Sequence, residues 1–326
     1  MKAIRTRKYG NPSVLELTEI DKPTPKNNEI LVKIHSAAIT SAQCSMRQGK
    51  PYFGRIFLGF TKPKISIPGT DFAGVVEAVG NDVTKFKVGD AIIAATDLGG
   101  GSYAEYIAIS ENDVIIHKPK NMNFDEAVSI IEGSTTALSF LRDSGKIKPG
   151  MKVLIIGASG SVGTAAVQLA KYFKTEVTGV CSQSNIQMVE ELGADKVINY
   201  TKDDFTKLPE KYDIIFDTVG KSSFTECKNV LTENGVYLST VLSLKILMQM
   251  MWSSFAGKKK AVFSATGLRK PDEKILDLII IKEMIEEGNL KSIIDKKYKI
   301  EQIVEAHEYI ETGHKRGNLV LQLAAH

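Results

Sequence analysis

No stretch constrains the fold of this 326-residue chain more than Lys152 to Phe173, which reads KVLIIGASGSVGTAAVQLAKYF. Val153, Leu154, Ile155 and Ile156 form a short apolar strand that closes on Gly157 and enters the turn Ala158-Ser159-Gly160-Ser161-Val162-Gly163. A helix-competent run follows at once, with Val167, Leu169, Ala170 and Phe173 on its apolar face. Strand, glycine turn and helix in that order are the context in which a dinucleotide pyrophosphate is bound. Gly160 lets the backbone approach the phosphates, and Gly163 lets the helix pack closely on the strand. The helix N-terminus adds N–H groups and the positive end of a dipole. These flanks separate the motif from an ordinary strand–helix turn that happens to hold glycines.

From this point strands and helices alternate: strand Glu176–Cys181, helix Asn185–Leu192, strands Lys196–Tyr200 and Tyr212–Val219, helix Ser222–Leu231, strand Val236–Thr240. Alternation of this kind predicts a parallel sheet covered on both faces. The first 120 residues read differently. Glu29–Ile39, Phe72–Gly80, Asp90–Thr96 and Tyr103–Ile109 are short, β-rich runs punctuated by Pro68-Gly69, Gly89 and Gly99-Gly100-Gly101. No helical pattern as long as about 12 residues interrupts them, and a closed antiparallel barrel or sandwich is expected. The character changes at Pro119, after which Asn123 and Glu126 have the spacing of a helix cap. Thr135–Arg142 continues helically, and Pro271–Glu287 and Ile303–Ile310 read as helices before a closing strand at Gly317–Leu321. A chain this long is expected to form two domains.

The composition is that of an ordinary globular protein, 43% hydrophobic and 25% charged, with a net charge of +4. The lysine excess is spread along the chain. Its one dense run, Lys258-Lys259-Lys260, reads as a solvated loop, so no nucleic-acid partner is expected. Cys44, Cys181 and Cys227 lie far apart, which points to reduced thiols and a cytosolic, cytoplasmic setting. The N-terminus lacks the apolar core of a signal peptide. Val241–Phe255 (VLSLKILMQMMWSSF) is the most apolar run, but it is too short to span a bilayer, and no membrane partner is expected. A buried helix or loop is its first reading; a wall of methionines and Trp252 around an apolar pocket is the second.

The second strand of the nucleotide unit ends at Cys181-Ser182-Gln183-Ser184-Asn185. An NAD-specific site has an Asp or Glu about 20 residues past the glycines to bind the ribose hydroxyl. Small uncharged side chains stand here instead, and they leave room for a 2′-phosphate, favouring NADPH with NADH as the alternative. In the plainer reading Ser182 and Asn185 only turn the chain and cap the next helix. None of the ten tyrosines has a lysine four residues later, and the five histidines and three cysteines form no cluster with zinc spacing. Hydride chemistry without a metal suits an acceptor that delocalises its own negative charge, such as a quinone or an enone.

Together these motifs, with Ala37–Gly49, Ile67–Gly80, Phe86–Ile92, Gly101–Tyr106, Glu132–Leu138, Leu192–Tyr200 and Phe216–Gly220, resemble the medium-chain dehydrogenase/reductase superfamily, specifically its zinc-independent quinone-oxidoreductase-like branch. The resemblance implies an α/β architecture. A GroES-like β-barrel domain would span residues 1–121 and 268–326, with a Rossmann doubly wound parallel-sheet domain inserted at 122–267. Zinc-dependent relatives carry Cys at the slot of Thr40, His at that of Thr70 and Cys near Ile131, so no metal is expected. The four-cysteine lobe of those relatives is also missing between Asp90 and Gly101.

Carried over residue by residue, Ser159, Gly160, Ser161, Val162 and Gly163 would meet the pyrophosphate, and Thr136 the nicotinamide half. Ser182, Asn185 and Tyr200 would lie at the adenine ribose phosphate, Val219, Ser239 and Thr240 along the strand ends, and Asn318 on the closing strand. Asn185 stands where several relatives have Lys, and Thr40 and Gln43 where Asn and Asp are common. Thr40 and Tyr52 are the candidate polar contacts to substrate, with a structural role as the alternative for each. Lys50–Ile67 forms a longer loop than in many relatives. The implied protein is an NADPH-dependent reductase, expected as a homodimer. Its rivals are an alcohol dehydrogenase with an unusual metal ligand set and a non-catalytic NADPH-binding module.

Overall fold

The computed structural model describes residues 1–96, 99–255 and 257–323. The chain divides into two compact units: Met1–Glu132, Gly267–Glu287 and the chain from Lys291 onward form one, and Gly133–Thr266 with Gly288–Leu290 the other.

The first unit opens with a two-stranded ribbon, β1 (Lys2–Arg5) against β2 (Glu16–Glu19). Its main sheet begins with β3 (Glu29–Ile39). After β3 come the helices α1 (Ser41–Gln48) and α2 (Arg55–Leu58), then β4 (Asp71–Val79), β5 (Ala91–Ala95), β6 (Tyr106–Ser110) and β7 (Val114–His117). Helix α3 (Phe124–Ser129) starts at the cap read from the sequence. Asn123 Oδ1 accepts from Glu126 N at 3.0 Å, and Glu126 Oε2 accepts from Asn123 N at 2.9 Å. Helix α4 (Ile131–Leu138) continues into a π-type turn at Ser139–Ser144, a few residues earlier than the helix expected at Thr135.

In the second unit β8 (Lys152–Ile156), α5 (Ser161–Tyr172), β9 (Glu176–Cys181), α6 (Ile186–Glu191), β10 (Lys196–Asn199), β11 (Tyr212–Asp217), α7 (Phe224–Cys227), β12 (Leu231–Ser239), α8 (Leu244–Phe255) and β13 (Lys260–Phe263) follow in turn. All six strands are parallel, in the order β10-β9-β8-β11-β12-β13. This is the doubly wound order, which reverses between β8 and β11. Strands buried on both faces need continuous apolar side chains, and Leu154, Ile215 and Tyr237 supply them.

The chain then returns to the first unit through α9 (Pro271–Glu286), β14 (Ile294–Lys299), α10 (Ile303–Glu311) and β15 (Asn318–Gln322). The main sheet there runs β14-β15-β3-β4-β5-β7, with β6 also on β3. It is mixed rather than purely antiparallel, because β14 and β15 are parallel to each other. Asp125 ties its elements together: it accepts from Ser36 of β3 at 2.5 Å and Gln322 of β15 at 2.9 Å, and pairs with Lys297 of β14 at 2.7 Å.

Among the described residues the N-terminal segment holds no twelve-residue helix, as expected, but the shorter α1 packs on α10 with Gln43 and Arg47 among its buried residues, so it carries little apolar periodicity. Two expectations are corrected. The helix expected at Ser222–Leu231 is only the short α7, since Leu231 already belongs to β12. The apolar run Val241–Phe255 is helical from Leu244 onward, but the helix is not a buried one: α8 buries Ile246 and Ser253 and turns most of its large side chains to solvent. Among the described residues no helix is long and apolar enough to cross a membrane.

Candidate functional site

In the parallel-sheet unit the fingerprint lies at the carboxyl end of β8, beside the strand-order reversal where open α/β sheets bind ligands. Gly157 leaves the strand with φ of 77°, a conformation that disfavours any side chain, and a Cβ there would lie 2.6 Å from Val219 Cγ1. Gly160 is the N-cap of α5. A Cβ on Gly163 would overlap the Gly157 carbonyl oxygen, so the first turn of α5 meets the end of β8 with no room between them. The N–H groups of a first helical turn have no intrahelical acceptor and point outward toward an anion.

Ser159 and Ser182 converge on Asn185, whose Nδ2 donates to both hydroxyls at 3.1 Å. Asn185 is buried, and its Oδ1 is without a hydrogen-bond partner among the described residues. A buried carbonyl oxygen in that state costs free energy unless a ligand donor meets it. Tyr200 follows β10 and is exposed, Val219 follows β11, and Ser239 ends β12 with Thr240 next; Thr136 sits half-buried in α4. The β11 loop is held by a residue that no local motif in the sequence marks. Asp217, fully buried, accepts from the N–H groups of Val219, Gly220 and Ser222 at 3.0, 2.7 and 2.9 Å and from Tyr237 Oη at 2.9 Å. Its only sequence signal is its place in FDTVG, just ahead of a glycine. A nicotinamide dinucleotide fits this cradle: a close-packed glycine turn at a helix N-terminus, a loop end fixed by Asp217, and an orphaned acceptor at Asn185.

The mixed-sheet unit carries a different constellation. Thr40 caps α1: its hydroxyl accepts from Gln43 N at 3.3 Å, and Gln43 Oε1 accepts from Thr40 N at 3.1 Å. Gln43 Nε2 reaches across to donate to Thr70 Oγ1 at 3.0 Å, so one amide bridges the slots of Thr40 and Thr70. Tyr103 Oη donates to Gln43 Oε1 and faces His307 Nε2 at 3.5 Å. His307 Nδ1 lies 3.3 Å from both Cys44 Sγ and Arg47 Nε, and Arg47 pairs with Glu311. Burial, with the nearby Arg47 guanidinium second, lowers the imidazole pKa to about 3, so His307 is neutral. Burial also pushes the Cys44 thiol up to about 11.

Glu132 accepts a hydrogen bond from Thr40; burial raises its carboxyl pKa, and Lys315 opposes the rise. The Lys315 ammonium, which donates to Gly317 O at 2.6 Å, is lowered by burial to about 8 while Glu132 pulls it back up. Hydroxyls and an amide occupy two of the zinc-ligand slots, and zinc takes thiolate, imidazole and carboxylate. Among the described residues no group of three or more His, Cys, Asp and Glu side chains could hold a metal. The Asp90–Gly101 loop is described except at residues 97 and 98. Tyr52 is not part of this cluster: it lies in an exposed turn, with the Arg55 guanidinium 5.0 Å from its ring. Asn318 donates to Ile293 O at 3.1 Å on β15.

Two family models match parts of the chain. Residues 26–120 match the alcohol dehydrogenase GroES-like domain and residues 192–321 the zinc-binding dehydrogenase family. The chain is 32% identical to tomato (Solanum lycopersicum) 2-methylene-furan-3-one reductase over 98% of its length and 79% of the relative. It is 31% identical to the chloroplastic NADPH-dependent alkenal/one oxidoreductase of Arabidopsis thaliana, over 98% and 79%. Among solved structures, a quinone oxidoreductase from Coxiella burnetii superposes with a TM-score of 0.87 at 29% identity, covering 99% of both chains. The chain belongs to the medium-chain dehydrogenase/reductase superfamily, in its quinone oxidoreductase-like branch.

Proposed function

We propose that this chain is an NADPH-dependent, zinc-independent reductase of quinones or α,β-unsaturated carbonyl compounds. The observation that carries the reading is Asn185. It lies in the turn where an NAD-specific site has a carboxylate and is buried and uncharged, so a 2′-phosphate meets no like charge, while its spare Oδ1 would accept from a hydroxyl or amine of the cofactor. NADPH would be held by Ser159–Gly163, by Ser182, Asn185 and Tyr200 at the ribose phosphate, and by Thr136, Val219, Ser239, Thr240 and Asn318 along its length. When bound, it supplies a hydride.

Thr40 is the polar contact we assign to the acceptor oxygen, and Tyr52 the second. Thr40 is supported by its hydrogen bond to Glu132, a carboxyl whose pKa is raised by burial, and by Lys315 beyond it. That set can hold and pass on a proton when the acceptor becomes an enolate or hydroquinone. The Gln43 bridge between Thr40 and Thr70 supports the zinc-independent reading, because the amide satisfies the hydroxyls that stand at the ligand slots.

A cytoplasmic home suits three free cysteines, all of them buried. A homodimer belongs to the same reading, supported by β13, which ends its sheet with a pairing to β12. Anaerobic mixing of the full chain with NADPH and a panel of quinones and enones is the test. Loss of reduced-nicotinamide absorbance is expected with at least one member, faster with NADPH than with NADH. Tight NADPH binding without turnover across the panel would instead make the chain a binding module, and turnover that tracks stoichiometric zinc would make it an alcohol dehydrogenase.

A further inference from the structure

The long loop after α1 turns its apolar side chains outward. Tyr52, Phe53, Ile56, Phe57 and Phe60 fall within nine residues, and each is between 44 and 79% exposed. Their backbone is anchored. The Arg55 guanidinium lies 4.5 Å over the ring of Tyr9, and its Nε donates to Gly49 O at 3.1 Å. Tyr9 Oη in turn donates to Gly59 O at 2.6 Å, and Lys64 N donates to Leu58 O at 2.8 Å. Both ends of α2 are thereby fixed, so the aromatic cluster is a built surface. Exposed apolar side chains gathered in this way mark an interaction site.

Charge narrows the choice of occupant. From Ser41 to Thr70 the chain has no Asp or Glu, and its charged residues are Arg47, Lys50, Arg55, Lys62 and Lys64. Two of them are committed: Arg47 pairs with Glu311, and Arg55 lies against the rings of Tyr9 and Tyr52. Lys50, Lys62 and Lys64 are exposed and form no ion pair among the described residues. Arg7 and Lys8, exposed and likewise without an ion pair, join them, because Thr6 N donates to Ser66 O at 2.8 Å and lays that segment beside the end of the loop. A second copy docked here about a twofold axis would set these cations against their own kind, which like charges oppose. The groove of an acidic protein takes an apolar helix face about two turns long, and α2 is a single turn of four residues. A layer of lipid phosphates complements the cations, and a few bulky side chains set among them suffice to reach the acyl boundary.

We propose that this loop docks the protein on an anionic lipid surface, with Phe53, Ile56, Phe57 and Phe60 at the acyl boundary and Lys50, Lys62, Lys64, Arg7 and Lys8 among the phosphates. Tyr52, assigned above to the acceptor, is not needed for docking. The sequence itself points to no membrane partner, because no run in it is long enough to span a bilayer; resting on the surface requires no span. This inference does not depend on the redox reading, and either can fail alone.

The full-length protein is sedimented with phosphatidylglycerol–phosphatidylcholine vesicles and with phosphatidylcholine vesicles alone. About tenfold tighter binding to the anionic set is expected, weakening with salt. Phe57→Glu with Phe60→Glu abolishes the binding without moving the thermal midpoint, since both side chains are already exposed. Lys62→Gln with Lys64→Gln weakens binding to the anionic set about tenfold and leaves the phosphatidylcholine set unchanged. Phe57→Trp places a reporter in the loop, and its emission shifts to the blue on anionic vesicles and is quenched by bromine-labelled acyl chains. If the double glutamate variant misfolds, the lysine pair and the tryptophan reporter still decide the matter. Failure of the parent protein to sediment with anionic vesicles sinks the proposal, as does binding that leaves the Phe57→Trp emission unaltered. Tighter binding to poly-glutamate than to vesicles would make the occupant an acidic protein. A double glutamate variant that splits a dimer in light scattering yet binds vesicles as the parent does would make the loop an interface between copies.

Discussion

In the parallel-sheet unit the cradle for a dinucleotide is made chiefly of backbone, whereas in the mixed-sheet unit the polar cluster around Thr40 is made of side chains. The first is defined by what cannot be there: a Cβ at Gly163 would overlap a carbonyl, and one at Gly157 would strike Val219. The second is defined by what must be there. Gln43 alone touches Thr40, Thr70 and Tyr103, and His307 touches Cys44, Arg47 and Tyr103. A backbone site tolerates changes of chemistry but no change of shape. A side-chain site tolerates small shifts of shape, yet each member left unpaired in the interior is costly.

The contrast can be broken at three points. Gly163→Ala has the largest expected effect. The added methyl must push α5 off β8, costing about 3 kcal/mol of unfolding free energy and weakening NADPH binding about tenfold or more. Denaturant titration and quenching of Trp252 by NADPH measure the two. Parent-like values in both would mean that the close approach of helix and strand is not needed.

In the side-chain unit the sharper probe is pH. His307 is folded with its pKa lowered to about 3 from an ordinary 6.5, so the unfolded chain takes up that proton first. Its share of stability is whole above the unfolded value and is lost as pH falls from 6.5 toward 3. By pH 5 the loss is about 2 kcal/mol. His307→Gln lowers stability at pH 7 and flattens this limb of the profile; an unaltered slope would remove His307 from the account.

The smallest change is aimed at the one side chain on which the backbone site leans. Asn185→Asp keeps size but adds a charge, so NADPH affinity falls about tenfold while NADH affinity holds or rises, by competitive titration. Equal losses for both cofactors would place the 2′-phosphate elsewhere.

The same contrast governs what could be read from the sequence. β3 and β9 occupy the residues expected, and the Asn123 cap forms as its spacing indicates, because each depends on short-range chemistry. The glycine turn was legible for the same reason: its spacing is a geometric requirement written into consecutive positions. Glu132 and Lys315 were not legible. They act on one another from positions far apart in the chain, and neither stands in a local pattern that names its partner. Nor does an apolar run disclose its outlook. Val241–Phe255 has the periodicity of a helix, but only the seating of Ile246 and Ser253 determines that its other side faces water.

The last strand of the chain has a consequence for the order in which the molecule is made. β15 pairs with β3, Leu319 opposite Ile39 and Leu321 opposite Ala37, and those four side chains share one core. As the ribosome extends the chain, β3 appears early and must wait for almost the whole message to be translated before that partner exists. The parallel-sheet unit is nearly continuous in sequence and can close first. Until then an apolar edge near the N-terminus stays open, and it is this early segment, not the glycine-rich nucleotide unit, that has most need of a chaperone during synthesis.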